Sequence, residues 1–433
     1  MNEITIGITA LVVLLGLFLT GMELAFAMAV IGVAGVAVLI SPKAALSLLA
    51  NDFYDSLESY GMTVVPLFVL MGQITFNSGI AGRLYNSAHK FLGHLPGGLA
   101  IATVAGAVLF KAICGSAGAT VATFASFAVP EMDKYGYDRK LSTGIVATVG
   151  VLGALIPPAV ILIILAIITG ESTGKLFLAG VFPALMLAFF FAAIIFGWAR
   201  VNPKIGPKSE KCTWGERARS LSAVVWPLVI FMIMIGGMTY GFFTPTEAGS
   251  VGTFAVLLLC LLKKDINFDG IRKSVREALR TSCMVFLMVA GANMLGHFVT
   301  AANLSFAAAD WVSSLPLHRH AIMVVICMVY IVGGTFIDDL AFLILATPIF
   351  LPIMTQMGYN TIWICILLSI VMGIGSSIPP LAMNVFIVKN ITKENVSTIY
   401  KGVSPFLVAL IVGVVLLFIF PELALYLPSV LMK

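Results

Sequence analysis

Two proline pairs stand where an apolar chain should least tolerate them, one in GALIPPAV (residues 153–160) and one in GSSIPPLA (375–382). A proline inside a helix has no N–H to donate and leaves the carbonyl four residues earlier unpaired. Pro157 and Pro158 would free the carbonyls of Gly153 and Ala154, and Pro379 and Pro380 those of Gly375 and Ser376. In hydrocarbon such oxygens persist only where protein, water or an ion satisfies them, and unwound backbone carbonyls suit a hard cation such as Na⁺. Each pair therefore predicts an ion or substrate site, with a simple helix kink as the plainer alternative.

Upstream of each pair lies a second unusual segment. CGSAGATVATFAS (114–126) is small and hydroxyl-bearing, whereas GGTFIDDLAFLILATP (333–348) carries Asp338 and Asp339 between apolar runs. Both read as re-entrant hairpins; for the first, a small-residue packing face is the alternative. A carboxylate at membrane depth is functional by default, although one of an adjacent pair can simply cap a helix. A catalytic dyad would need the two to share a proton, yet neighbours on a helix point about 100° apart. Lys111, in LFKAICG, reads as a side chain that snorkels to an interface, or else as one that attracts an anion. Glu247 has a local explanation: in FFTPTEAG, Thr244 as N-cap, Pro245 at N1 and Glu247 at N3 form a capping box.

The elements that position these residues must be membrane helices. Of the 433 residues 60% are hydrophobic and 10% charged, against about 25% charged in soluble domains, and the mean hydropathy is +1.07. Apolar runs recur along the whole length, enough for roughly ten to twelve spans of an all-α polytopic membrane protein, some of them broken. The N-terminal run lacks a basic n-region and reads as an uncleaved first helix. The six scattered cysteines suggest neither a disulfide framework nor a zinc site.

Shifting the chain by 222 positions, the spacing from Pro157 to Pro379, superimposes four prolines without a gap: Pro130 on Pro352, both IPP prolines, and Pro183 on Pro405. Chance predicts fewer than one. VPEMDKYGY falls on LPIMTQMGY, and Ser116 falls on Asp338. An internal repeat of this kind is the signature of a secondary transporter. GESTGKL (170–176) lacks the spacing of a phosphate loop, so an ion gradient rather than ATP would drive transport. A passive channel is a further alternative, but no ring of like charges is apparent. The basic loops 199–219 and 263–280, with Arg83 to His94, mark the cytoplasmic side and leave the N-terminus outside.

In this order, VPLFVLMGQ (65–73), CGSAGATVA (114–122), LGALIPP (152–158), FFTPTEAG (242–249), GTFIDDLA (334–341) and IPPLAMNVF (378–386) resemble the large membrane subunit of tripartite ATP-independent periplasmic (TRAP) transporters. The resemblance covers nearly the whole chain. It implies an elevator-type importer with two related, inverted repeats, driven by Na⁺ and taking up an organic acid of the C4-dicarboxylate, keto acid or sialic acid class. The implied partners are a small four-helix membrane subunit and a periplasmic substrate-binding protein, with no cofactor beyond Na⁺ as coupling ion, in a bacterial inner membrane.

Carried over by motif, one Na⁺ site comprises Ser116, Gly153, Ile156 and Pro158, and the other Asp338, Gly375, Ile378 and Pro380. Gly115, Thr120, Asp339 and Asn384 are the candidate substrate contacts. Cys114, Ala117 and Ala159 depart from the family's more frequent serines. The expected organisation is scaffold helices over 1–95, a first transport repeat over 96–198 (hairpin 112–130, unwound loop 153–158) and a basic cytoplasmic linker over 199–220. Scaffold helices over 221–315 and a second transport repeat over 316–415 (hairpin 334–352, unwound loop 375–380) follow, with a C-terminal segment over 416–433.

Overall fold

The structure, a computed structural model, describes residues 3–304, 307 and 318–432; the expected boundary at 315–316 lies outside them. The described chain is helical: α1 Glu3–Leu19, α2 Leu24–Leu39, α3 Pro42–Glu58, α4 Val64–Asn77, α5 Ile80–Leu92, α6 Gly98–Cys114, α7 Ala117–Lys134, α8 Arg139–Leu152, α9 Val160–Thr169 and α10 Thr173–Val201. After the linker come α11 Trp214–Thr239, α12 Pro245–Leu262, α13 Phe268–Ala301, α14 Arg319–Phe336, α15 Asp339–Gln356, α16 Thr361–Gly375, α17 Met383–Thr392, α18 Val396–Ile419 and α19 Glu422–Leu431. Eight described helices, one of them α4 with its preceding turn, are long and apolar enough to cross a bilayer. The figure falls below the ten to twelve spans expected because breaks divide apolar runs into shorter pieces such as α9 and α16.

Helix boundaries follow local chemistry. Thr244 begins α12 with the expected capping box: its hydroxyl accepts from the Glu247 N–H at 3.3 Å, and the Glu247 carboxylate accepts from the Thr244 N–H at 2.7 Å. Ser172 and Asn267 cap α10 and α13 without the reciprocal bond, each side chain accepting from the N–H three residues on. Helix boundaries also repeat. Moved along by 222 positions, α7 falls on α15 residue for residue, and α6, α8, α9 and α10 each begin within one residue of the start of α14, α16, α17 and α18.

The strongest packing falls in two places, and α5 along α6 joins them. In one, α13 packs along α2 and α4, and α12 along α4. In the other, α8 packs along α18 and α7, while α14 packs along α16. Small residues bring the backbones together where apolar side chains gain nothing over lipid. A Cβ on Gly32 would stand 2.7 Å from the Met294 backbone, and one on Gly291 would stand 2.5 Å from the Ala25 carbonyl, so α2 and α13 meet backbone to backbone. Large apolar side chains remain exposed along the outer helices, among them Trp226, Met232, Phe254 and Leu258, the surface a hydrocarbon solvent would cover.

The linker is not a free loop. The Ile205 carbonyl accepts from the Asp138 N–H at 3.1 Å, the Gly206 carbonyl accepts from Gly97 at 3.0 Å, and the Ser209 N–H donates to Gly93 at 3.0 Å. It is therefore laid across the outer ends of the first hairpin.

Candidate functional site

Each hairpin turns where a short polar residue begins the second arm. Between α6 and α7 the turn is Gly115–Ser116, and between α14 and α15 it is Ile337–Asp338. The arms run further than the expected 112–130 and 334–352, over 98–134 and 319–356. Gly115 adopts φ +57, open to glycine at little cost. Ser116 and Asp338 are both N-caps. The Ser116 hydroxyl accepts from the Ala119 N–H at 3.3 Å, and Asp338 Oδ1 accepts from Leu340 at 3.1 Å and Ala341 at 3.4 Å.

The proline pairs sit in breaks, not inside helices, which changes the carbonyl accounting. α8 ends at Leu152 and α9 starts at Val160; α16 ends at Gly375 and α17 starts at Met383. Both Pro–Pro bonds are cis. In the first break no N–H among the described residues donates to the Gly153 or Ala154 carbonyl, as expected. In the second, contrary to expectation, both freed carbonyls have donors: Gly375 accepts from Ile378 at 3.2 Å and Ser376 from Asn384 at 3.3 Å. Turn hydrogen bonds replace helical ones there, so proline placement alone does not predict an orphan oxygen.

Tips and breaks meet. A cavity of about 170 Å³ is walled by Gly115 and Ser116 of the first tip, Gly153 of the first break, Asp338 and Asp339 of the second tip, and Asn384 beyond the second break. Six of the twelve predicted site residues thus share one wall. The first tip is tied to its break: the Gly115 carbonyl accepts from Val160 at 3.4 Å. A Cβ on Gly115 would stand 3.1 Å from the Pro158 carbonyl. Asn384 Nδ2 donates to Ser376 Oγ at 3.2 Å, which joins the cavity wall to the second break.

The other six predicted residues do not line it. Thr120 is buried one turn into α7, where its hydroxyl donates to the Ser116 carbonyl at 2.9 Å. Ile156 and Pro158 are buried, Gly375 packs on Gly334, and Pro380 is exposed beside half-buried Ile378. Lys111 does not snorkel: its side chain is 0% exposed and its Nζ has no hydrogen-bond partner among the described residues. The tip of the first hairpin lies too deep among other helices for a four-carbon stem to reach an interface.

Sequence reasoning assigned no role to Gly72 and Gln73 of α4 or Thr281 of α13, which complete the cavity. The glutamine ending VPLFVLMGQ, a rare amide in an apolar run, was the available signal.

Four helices start at this cavity: α7, α9, α15 and α17 present their first residues to it. Serine and aspartate side chains cap α7 and α15, whereas α9 and α17 have no side-chain cap. Open helix N-termini carry partial positive charge and unpaired N–H groups, and so receive anions. Two carboxylates also line the wall, with no lysine or arginine among the lining residues. Asp338 is spent as a cap on one oxygen, and Asp339 Oδ1 is buried without a partner. An arrangement so divided has the chemistry to hold a cation and an anion side by side.

Comparison with known proteins identifies the family. Residues 11–423 match the family model described as "Tripartite ATP-independent periplasmic transporter, DctM component". The chain is 32% identical over 392 residues, 90% of its length and 91% of the relative's, to the C4-dicarboxylate TRAP transporter large permease protein DctM of Pseudomonas aeruginosa. It is 30% identical to the ectoine TRAP transporter large permease protein TeaC of Halomonas elongata, covering 96% of this chain and 97% of that one. The sialic acid TRAP transporter permease protein SiaT of Haemophilus influenzae is 30% identical over 87% of this chain and 61% of its own length. In fold the chain is similar to the YdaH transporter of Alcanivorax borkumensis, with a TM-score of 0.63, 12% identity and 88% of each chain covered. These relatives are transporter permeases rather than enzymes, and the chain belongs to the tripartite ATP-independent periplasmic transporter family as its large, multi-pass membrane subunit.

Proposed function

We propose that this subunit couples the inward movement of Na⁺ to the import of an organic acid of the C4-dicarboxylate, keto acid or sialic acid class. The observation that carries the reading is the cavity itself, where both hairpin tips, the first helix break and the start of α17 beyond the second break converge. A substrate carboxylate would lie against the open N-termini of α9 and α17, with Gln73, Thr281 and Asn384 offering neutral hydrogen bonds. The Asp338 and Asp339 carboxylates oppose that anion, and a bound cation beside them removes the opposition. Favourable coupling of cation and anion binding follows, because whatever lowers the cost of one lowers the cost of the other.

The first and second repeats, 96–198 and 316–415, would move as the carrier against a scaffold of 1–95 and 221–315, an elevator in which the cavity travels with its walls. Within that division α13 packs along α2 and α4 in the scaffold and α8 along α18 in the carrier, while α5 against α6 crosses it. The basic loops face the cytoplasm of an inner-membrane protein and the N-terminus faces the periplasm. A small four-helix membrane subunit and a periplasmic binding protein would complete the system, the latter supplying substrate.

Uptake of a labelled organic acid into liposomes holding the chain and its two partner subunits tests this, with and without an inward Na⁺ gradient. Uptake is expected to need the gradient. Equal uptake in its absence would overturn the coupling.

A further inference from the structure

The two halves differ in charge at equivalent places. In each, the hairpin's first arm and the helix before the break pack together and meet near their ends: α6 and α8 in the first half, α14 and α16 in the second. Helix C-termini carry partial negative charge and attract cations. Moved along by 222 positions, Lys111 falls on Gly333. In the second half nothing stands between the helix ends, for a Cβ on Gly375 would be 3.0 Å from the Gly334 Cα. In the first, a Cβ on Gly153 would lie 2.5 Å from Lys111 Cε and 2.7 Å from Nζ.

Nζ of Lys111 thus sits at the C-terminal end of α8, beside the one freed carbonyl region that no N–H claims. The side chain is fully buried and unpartnered, and it is not among the residues lining the cavity, so it does not face the substrate. Access differs too. Residues 151–160 are buried and open only to the cavity, through Gly153 and Val160, whereas Pro379, Pro380 and Leu381 of the second break are exposed. A cation that must enter and leave needs the second arrangement; a cation fixed by a covalent stem suits the first.

We propose that the Lys111 ammonium is a tethered cation that fills the first tip–break junction, so that only the second half takes up a mobile Na⁺. The inference rests on the Na⁺-coupled reading above. It assigns the coupling ion to the Asp338 side and makes the first half a fixed-charge partner of it.

Counting bound ions tests the assignment. Radioactive Na⁺ binding to the purified chain is measured for wild type, K111G, K111A and the bulk-preserving K111M. K111G and K111A, which open space beside the Gly153 and Ala154 carbonyls, are expected to bind twice as much Na⁺ as wild type; K111M is expected to match wild type. Equal binding by wild type, K111G and K111A, above zero, overturns the tethered cation and leaves coupling intact. Binding by K111G alone overturns Na⁺ coupling in the native chain and keeps the tether, and no binding by any protein overturns both. Should the variants not fold, wild-type uptake decides: a hyperbolic Na⁺ dependence is expected, and a sigmoidal one overturns the proposal.

Discussion

Ser116 and Asp338 occupy the same station in the two halves: each is the N-cap of an eighteen-residue helix and turns a side-chain oxygen back onto that helix's first N–H groups. The caps are alike in geometry and unlike in charge. Ser116→Ala should cost about 1 kcal/mol, the usual value of a lost cap, with Na⁺ dependence little changed. Asp338→Asn keeps a good cap but strips the charge, so its melting temperature should hold while the half-saturating Na⁺ concentration rises at least about tenfold. Thermal melting and Na⁺ titration of uptake, run on both variants, separate the two roles.

Gly153 leaves room for Lys111 and for nothing else. Gly153→Ala should therefore overpack the first break, at roughly 1–3 kcal/mol. Lys111→Ala removes the side-chain atoms in the way but leaves the Gly150 carbonyl 2.7 Å from the new Cβ, so the double variant should recover part of the loss. A melting-temperature cycle over the four proteins measures this; additive losses would mean that the two residues do not touch in solution.

Gln73 projects from α4 to the cavity while its own carbonyl accepts from Ser274 at 3.1 Å and Asn77 at 2.9 Å. Those backbone contacts survive truncation of the side chain. Gln73→Ala should raise the substrate concentration for half-maximal uptake by about fivefold to tenfold, as loss of one hydrogen bond does, and leave the melting temperature within a degree or two.

Orientation is open to a direct measurement through a native thiol. Cys212 lies partly exposed in the linker and Cys283 is exposed on α13, whereas Cys114, Cys260, Cys327 and Cys365 are buried. A membrane-impermeant maleimide should label Cys212 in inside-out vesicles and not in spheroplasts, with Cys212→Ser as the control. Labelling from the outside would reverse the assigned topology.

What could be read from the residues alone follows from rarity. Paired prolines and glycine–tyrosine steps are scarce in so apolar a chain, and their recurrence at one spacing located both breaks, while the unrepeated aspartate pair and the small-residue run before the first break marked the tips. Backbone bookkeeping was harder. The proline rule for a helix interior predicted orphan oxygens at Gly375 and Ser376, but the helix ends first and turn bonds claim them. Lys111 was misread because snorkelling depends on how deep the tip lies, a property of distant helices. The α4 and α13 walls are joined to the tips only through tertiary packing, so Gly72 and Thr281 looked like any small or polar residue of a membrane helix.

The gapless register of α7 on α15 gives the chain an internal reference. For most residues of one half a counterpart exists in the other, in the same kind of helix, bilayer and fold. Reciprocal exchanges between counterparts, serine for aspartate at the tips among them, compare chemistries without a second protein, a second expression host or a second membrane. Few molecules carry their own matched control.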